Sequence, residues 1–173
     1  KYAFYDVTNL QSVTIPDSIE SIGDWAFGNC NVLTSIDLPS GLKSIKRYAF
    51  GNCSSLKTVE LPDSLTSIEA YAFSGCSNLE KVIIPESVTS IGVGIFKDCV
   101  KLKTAGAIGS DCNIEFGWKT EIPAYAFNGS PVISVTIPDT VKGISNYAFS
   151  YCSNLEKIVI PGSVTTVVSY VFS

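Results

Sequence analysis

Phenylalanine returns at a fixed interval: Phe4, Phe27, Phe50, Phe73 and Phe96 stand 23 residues apart. The interval stretches to 31 residues at Phe127 and then settles to 22 and 23 at Phe149 and Phe172, so one unit carries eight extra residues. Prolines keep the same beat at Pro16, Pro39, Pro62 and Pro85, and again at Pro138 and Pro161; the beat is missed in the irregular unit. A 23-residue unit with so few apolar positions cannot bury its own hydrophobic face, whereas stacked units bury a continuous one. The chain is therefore read as a repeat solenoid: a right-handed, β-rich coil of about seven rungs in one domain spanning 1–173, irregular over about 103–121.

The pattern inside each unit sets the local structure. Apolar residues precede the proline in the spacing Leu-x-x-Val-x-Ile-Pro, as Leu10, Val13, Ile15; Leu33, Ile36, Leu38; Leu56, Val59, Leu61; and Leu79, Val82, Ile84. The final alternation has the two-residue period and β-branched content of a short strand with one face buried. Proline has no amide hydrogen to donate, so it ends the strand and opens a turn, which the following Asp-Ser or Glu-Ser suits. A second apolar pair after the turn, such as Leu42 and Ile45 or Leu65 and Ile68, predicts a second short strand. An Ala-Phe pair with Cys three residues later (Ala49, Phe50, Cys53) closes the unit and reads as a short helical or 3-10 turn. Neighbouring rungs pairing as parallel strands about 4.8 Å apart make a stack roughly 35 Å long.

Composition excludes several functions. Twelve basic and sixteen acidic side chains give a net charge of −4, which offers nucleic acid no electrostatic footprint. The chain contains no histidine, which removes Ser-His-Asp and Cys-His nucleophile systems and histidine-ligated zinc. No apolar run reaches the roughly 20 residues that span a bilayer, so no membrane insertion is expected in this segment. Ser-x-x-Lys occurs at Ser40 to Lys43 and Ser54 to Lys57, but at ordinary repeat positions without supporting motifs. No enzyme activity and no cofactor are expected. The chain starts at Lys1 without methionine, so it is expected to be a piece of a longer protein.

The string from Ala72 to Gly92, AFSGCSNLEKVIIPESVTSIG, repeated with small changes along the chain, resembles the BspA-like leucine-rich repeats. The likeness covers all but roughly residues 103 to 121. It implies a leucine-rich-repeat solenoid from a secreted or surface-displayed protein of a bacterium or parasitic protist, often associated with adhesion. The matching positions are scaffold positions, so no binding residue is carried over.

Two columns and one irregularity remain. Cys30, Cys53, Cys76, Cys99 and Cys152 share a slot held by Val7 and Ser130 in other units, which points to a buried column rather than a metal or disulfide site; Cys112, in the irregular unit, leaves a bridge to Cys99 open. Tyr2, Trp25, Tyr48, Tyr71, Tyr125, Tyr147 and Tyr170 each stand two residues before the repeat phenylalanine, with Gly94 the exception, and form a ladder of rings or, if exposed, a platform for a glycan or peptide.

Recognition is expected on the outward strand positions, which vary from rung to rung: Ser12 and Thr14, Ser35 and Asp37, Thr58 and Glu60, Lys81 and Ile83, Ser134 and Thr136, Lys157 and Val159. Asp37 and Glu60, near Lys81, make a modest docking patch, and Lys157 lies further along the row. In the irregular unit Glu115, Trp118 and Lys119 are the most individual side chains, set either to pack where the rung swerves or to meet a ligand. The expected function is a non-catalytic adhesion-type module, extracellular or on the cell surface, that binds an extracellular or host protein or a glycan. The alternative is a structural spacer or stalk that self-associates through uncapped end rungs.

Overall fold

Two rows of short parallel strands and one row of turns wind past each other in every coil of the computed structural model, which describes residues 1–107, 112–118 and 120–173. One strand row comprises β1 (Ser21–Ile22), β3 (Ser44–Ile45), β5 (Ser67–Ile68) and β7 (Ser90–Ile91), followed after a break by β10 (Glu121–Ile122), β12 (Gly143–Ile144) and β14 (Thr166–Val167). The other is an unbroken seven-stranded sheet of β2 (Ser35–Ile36), β4 (Thr58–Glu60), β6 (Lys81–Ile84), β9 (Ile114–Phe116), β8 (Thr104–Ala107), β11 (Ser134–Thr136) and β13 (Lys157–Val159), in that spatial order. Registers follow the repeat: Ser21 faces Ser44, Ser44 faces Ser67, and Ser67 faces Ser90. Identical side chains are thus stacked in columns, with isoleucines inward and serines outward. Between the two strands of a coil the proline carbonyl accepts the amide three residues on, as in Pro39 to Leu42 at 3.1 Å and Pro62 to Leu65 at 2.9 Å, which fixes the β-turn.

The Ala-Phe stretch is not the helical or 3-10 turn expected from the sequence. Its internal bonds skip every second residue: Ala26, Gly28 and Cys30 donate to Gly23, Trp25 and Phe27 at 3.1–3.2 Å. The intervening amides of Trp25, Phe27 and Asn29 donate at 2.8–3.0 Å to the carbonyls of Arg47, Ala49 and Gly51 on the next coil. A helix uses its amides internally; here alternate amides are turned along the stack to form a third inter-coil ladder. The reversal comes from two left-handed residues per coil, Trp25 (φ 54°) and Asn29 (φ 62°), repeated at Tyr48 and Asn52 and at Tyr71 and Gly75. Asn, Asp and Gly tolerate this conformation, but an aromatic does so at a cost of about 1–2 kcal/mol. Stacking offsets it: ring centroids lie 4.2 Å apart for Trp25 and Tyr48 and 4.9 Å for Tyr48 and Tyr71. Gly94 breaks the aromatic column yet keeps its backbone (φ 61°), and a Cβ there would lie 2.7 Å from the Tyr71 ring.

Inside, the repeat phenylalanines stack face to face from Phe4 to Phe96 at 5.2–6.0 Å and from Phe127 to Phe172 at 5.0–5.7 Å. Leu33, Leu56, Leu79, Ile45, Ile68 and Ala72 fill the space between the strand rows and this column. The strand expected near Val13 and Ile15 does not form; residues 9–16 of the first coil make no ladder and remain half-exposed or exposed, with a covering coil on one side only.

The irregular unit solves its extra length by overstepping. β8 skips one level and pairs with β11, and the chain then turns back so that β9 fills the skipped level, pairing with β6 on one side and β8 on the other. The seven-stranded row stays continuous. In the other row β10 pairs with β12, which places it at the level of β8, whereas β7 belongs to the coil of β6. Among the described residues the level of β9 has no strand in that row, leaving a gap between β7 and β10.

Candidate functional site

The outward face of the seven-stranded row carries two side-chain columns. Ser35, Thr58 and Lys81 form one, and it continues beyond the irregular unit through Thr104 and Ser134 to Lys157. The second places Glu60 beside Ile83 and Ile83 beside Glu115, with Asp37 following the end of β2 next to Glu60. Asp37, Glu60, Lys81, Ile83, Lys157 and Val159 are exposed. A shallow groove of about 350 Å³ runs between Thr58, Glu60, Lys81 and Ile83.

The structure brings only some of the expected residues together. Asp37 and Glu60 are neighbours on one column. Lys81 does not join them: it stands in the other column and its ammonium pairs with the carboxylate of Glu115. Glu115 is buried, so it is no surface ligand in its own right and serves to hold Lys81 across the sheet. Lys157 lies four strands from Lys81, about 19 Å away at ordinary strand spacing. Trp118 is buried; its ring stacks on Phe116 at 5.3 Å and meets Phe127 edge-on at 6.0 Å, and its Nε1 donates to the Val88 carbonyl at 2.9 Å. In two other coils the corresponding carbonyl takes a serine hydroxyl from the next coil, Leu42 from Ser64 at 2.7 Å and Val141 from Ser163 at 3.0 Å. Trp118 is the plug where the coil swerves, not an exposed hot spot. Lys119 lies outside the described residues.

The cysteine column is structural. Cys53, Cys76 and Cys99 donate their thiol protons to the carbonyls of Phe27, Phe50 and Phe73 at 3.0–3.1 Å, tying each turn to the coil before it. Burial pushes the Cys53 and Cys99 thiols up to about 12 and Cys76 well above its ordinary value, the opposite of a nucleophile. All six cysteines are free, so Cys112 and Cys99 are not bridged. Among the described residues no group of three His, Cys, Asp or Glu side chains is placed to hold a metal. The aromatic column is half-buried from Trp25 to Tyr71 and from Tyr125 to Tyr147, and its rings stack on one another rather than presenting flat faces to solvent.

One concave feature escaped the sequence reading. The gap between β7 and β10 opens as a cleft of about 380 Å³, lined on one side by Glu86 and Thr89, on the other by Thr120, Glu121 and Pro123, and floored by Trp118. The Ser145 hydroxyl donates to Glu121 at 2.5 Å on its rim. Pro123 was the available signal: it falls out of phase with the proline beat and occupies the slot of Lys46 and Ser145, whose amides donate to the preceding coil.

The chain matches the family model described as BspA type Leucine rich repeat region in six copies, over residues 1–115 and 120–173. A leucine-rich repeat protein from Bacteroides ovatus is similar in structure, with a TM-score of 0.70 and 29% identity over 96% of this chain and 41% of that one. The Treponema pallidum leucine-rich repeat protein follows at 0.66 and 28%, over 91% of this chain and 73% of that one. The pneumococcal vaccine antigen PcpA shares the fold at 0.59 and 23%, over 92% of this chain and 41% of that one. No curated protein matches the chain.

Proposed function

This chain belongs to the BspA-type leucine-rich repeat family, and from that premise we propose that it is a non-catalytic recognition module, extracellular or on a cell surface, whose outward strand face binds an extracellular protein. The observation that carries this reading is the contrast between the two sides of the seven-stranded row. Its inward columns repeat the same apolar residues, while the outward ones change from coil to coil through Asp37, Glu60, Lys81, Ile83 and Lys157. A rigid surface with a coil-by-coil choice of side chains is how solenoids set specificity over area. A protein surface suits the groove beside exposed Ile83 better than a sugar, because the aromatic rings that would stack on a sugar are engaged with one another. Surface association is typical of the family and is extended to this chain as part of the same proposal.

The test is binding of the purified chain to an array of extracellular-matrix proteins and glycans, with a salt series on any capture. Saturable protein capture that weakens at least tenfold in Glu60→Lys or Ile83→Asp, a loss of about 1.4 kcal/mol, supports the reading. Capture indifferent to both changes, or none at all, moves the weight to a stiff spacer, which the three inter-coil ladders suit.

A further inference from the structure

The cleft between β7 and β10 has the form of a missing strand. In regular coils two carbonyls of this row are taken by the next coil: Thr66 accepts from Thr89 and Ser90 at 3.1 and 3.3 Å, and Ile68 accepts from Gly92 at 2.8 Å. One level on, the Thr89 and Ile91 carbonyls receive no donor among the described residues. Across the gap Pro123 has no amide to offer, so the wall at β10 cannot close onto β7 as an ordinary coil would. Carbonyls left without donors at a sheet edge are a template for an added strand.

From this we infer that the cleft is a second interaction site, which takes an extended peptide segment of a partner protein as a guest strand at the level left empty in this row. Its main-chain amides donate to Thr89 and Ile91. The side chains flanking the empty level specify the guest. Its outward position falls in the column of Ser90 and Glu121, so the Glu121 carboxylate on the cleft wall matches a lysine or arginine there. Its inward position falls between Ile91 and Ile122 above the Trp118 floor, which admits a small β-branched residue. The motif is therefore a basic residue followed by a small apolar one in extended conformation. A glycan is disfavoured because the Trp118 ring is buried and offers no face for stacking.

The site stands apart from the outward strand face, so each can fail without the other. The experiment is titration of ¹⁵N-labelled protein, followed by NMR, with acetyl-Thr-Lys-Val-Thr-amide, its Glu-for-Lys counterpart, and a Lys peptide carrying N-methylated backbone amides. Two main-chain bonds and one charge contact set a weak Kd, on the order of 1 mM. We expect saturable shifts at Thr89, Ile91, Thr120 and Glu121. Binding should be about three- to fivefold weaker for the Glu peptide and absent for the N-methylated one. Glu121→Gln should shrink the Lys preference, and Thr89→Trp, a change at an exposed position, should block the slot while leaving distant resonances in place. Three results overturn the inference: no saturable shift at these residues, equal binding of the N-methylated peptide, or shifts confined to the Thr58–Ile83 face.

Discussion

The left-handed aromatic column reverses an ordinary rule of substitution, and Tyr48 is where to measure it. Tyr48 has φ 52° and a ring stacked between Trp25 at 4.2 Å and Tyr71 at 4.9 Å. Tyr48→Ala removes two ring contacts worth about 0.5–1.5 kcal/mol each and some half-buried surface, for a total loss of about 2–4 kcal/mol. It leaves the backbone strain in place. Tyr48→Gly loses the same ring but also releases the strain, about 1 kcal/mol. The glycine variant should therefore be the more stable of the two by about 1 kcal/mol, whereas at a position with ordinary backbone glycine is less stable than alanine by roughly 0.5–1 kcal/mol. Ala49→Gly, one residue away with ordinary φ, supplies that control. Urea unfolding, read by the fluorescence of Trp25 and Trp118 and by circular dichroism, measures the three variants against the parent chain. If Tyr48→Gly proves as unstable as Tyr48→Ala or less stable, the stored strain is not there and the account of how aromatic stacking holds the turn ladder fails.

Other expectations follow from the core and the irregular unit. Phe73→Ala, at a fully buried ring stacked between Phe50 and Phe96, should cost about 3–5 kcal/mol, and hydrogen exchange should place the loss in the adjoining coils. Because burial raises the Cys53 and Cys99 thiols to about 12 from an ordinary 9.0, their stabilisation is complete below pH 9 and is lost as pH rises toward 12. The urea midpoint should fall across that window, and less steeply in the double variant Cys53→Ala, Cys99→Ala. In native protein a thiol reagent at pH 8 should modify Cys112 well ahead of Cys53, Cys76 and Cys99, and the order should collapse in denaturant. Trp118→Phe keeps a ring but strands the Val88 carbonyl, and should lower stability by about 1–3 kcal/mol in thermal unfolding.

The solenoid, its rung count and its buried columns were legible because they depend on period alone: the spacing of Phe27, Phe50 and Phe73 fixes which side chains can share a face. The second strand row was legible for the same reason, from pairs such as Leu65 and Ile68. The turn row was misread because Ala-Phe-x-x-Cys has helical apolar spacing, and an aromatic at Tyr48 or Tyr71 does not advertise a positive φ; only Gly94, in the same slot, did so. Among the candidate residues the outward positions of Glu60 and Lys81 followed from alternation. The Lys81–Glu115 pairing could not, because it depends on β9 returning to a level that β8 had skipped. That step back was hidden in a length of eight residues, and with it the cleft at Glu86 and Glu121.

Pulled from its two ends, the molecule behaves as springs in series, and the compliance of such a series is dominated by its weakest joint. Regular coils share a load among three rows of main-chain bonds. At the joint between β7 and β10 one strand row is interrupted, and among the described residues no main-chain hydrogen bond links the turns at 94–99 to those at 124–130, so the sheet through β6, β9 and β8 bears most of the tension, helped by the Trp118 plug and its bond to the Val88 carbonyl. Extension should begin there, with the two flanking blocks held as stiff segments on either side of a built-in fuse.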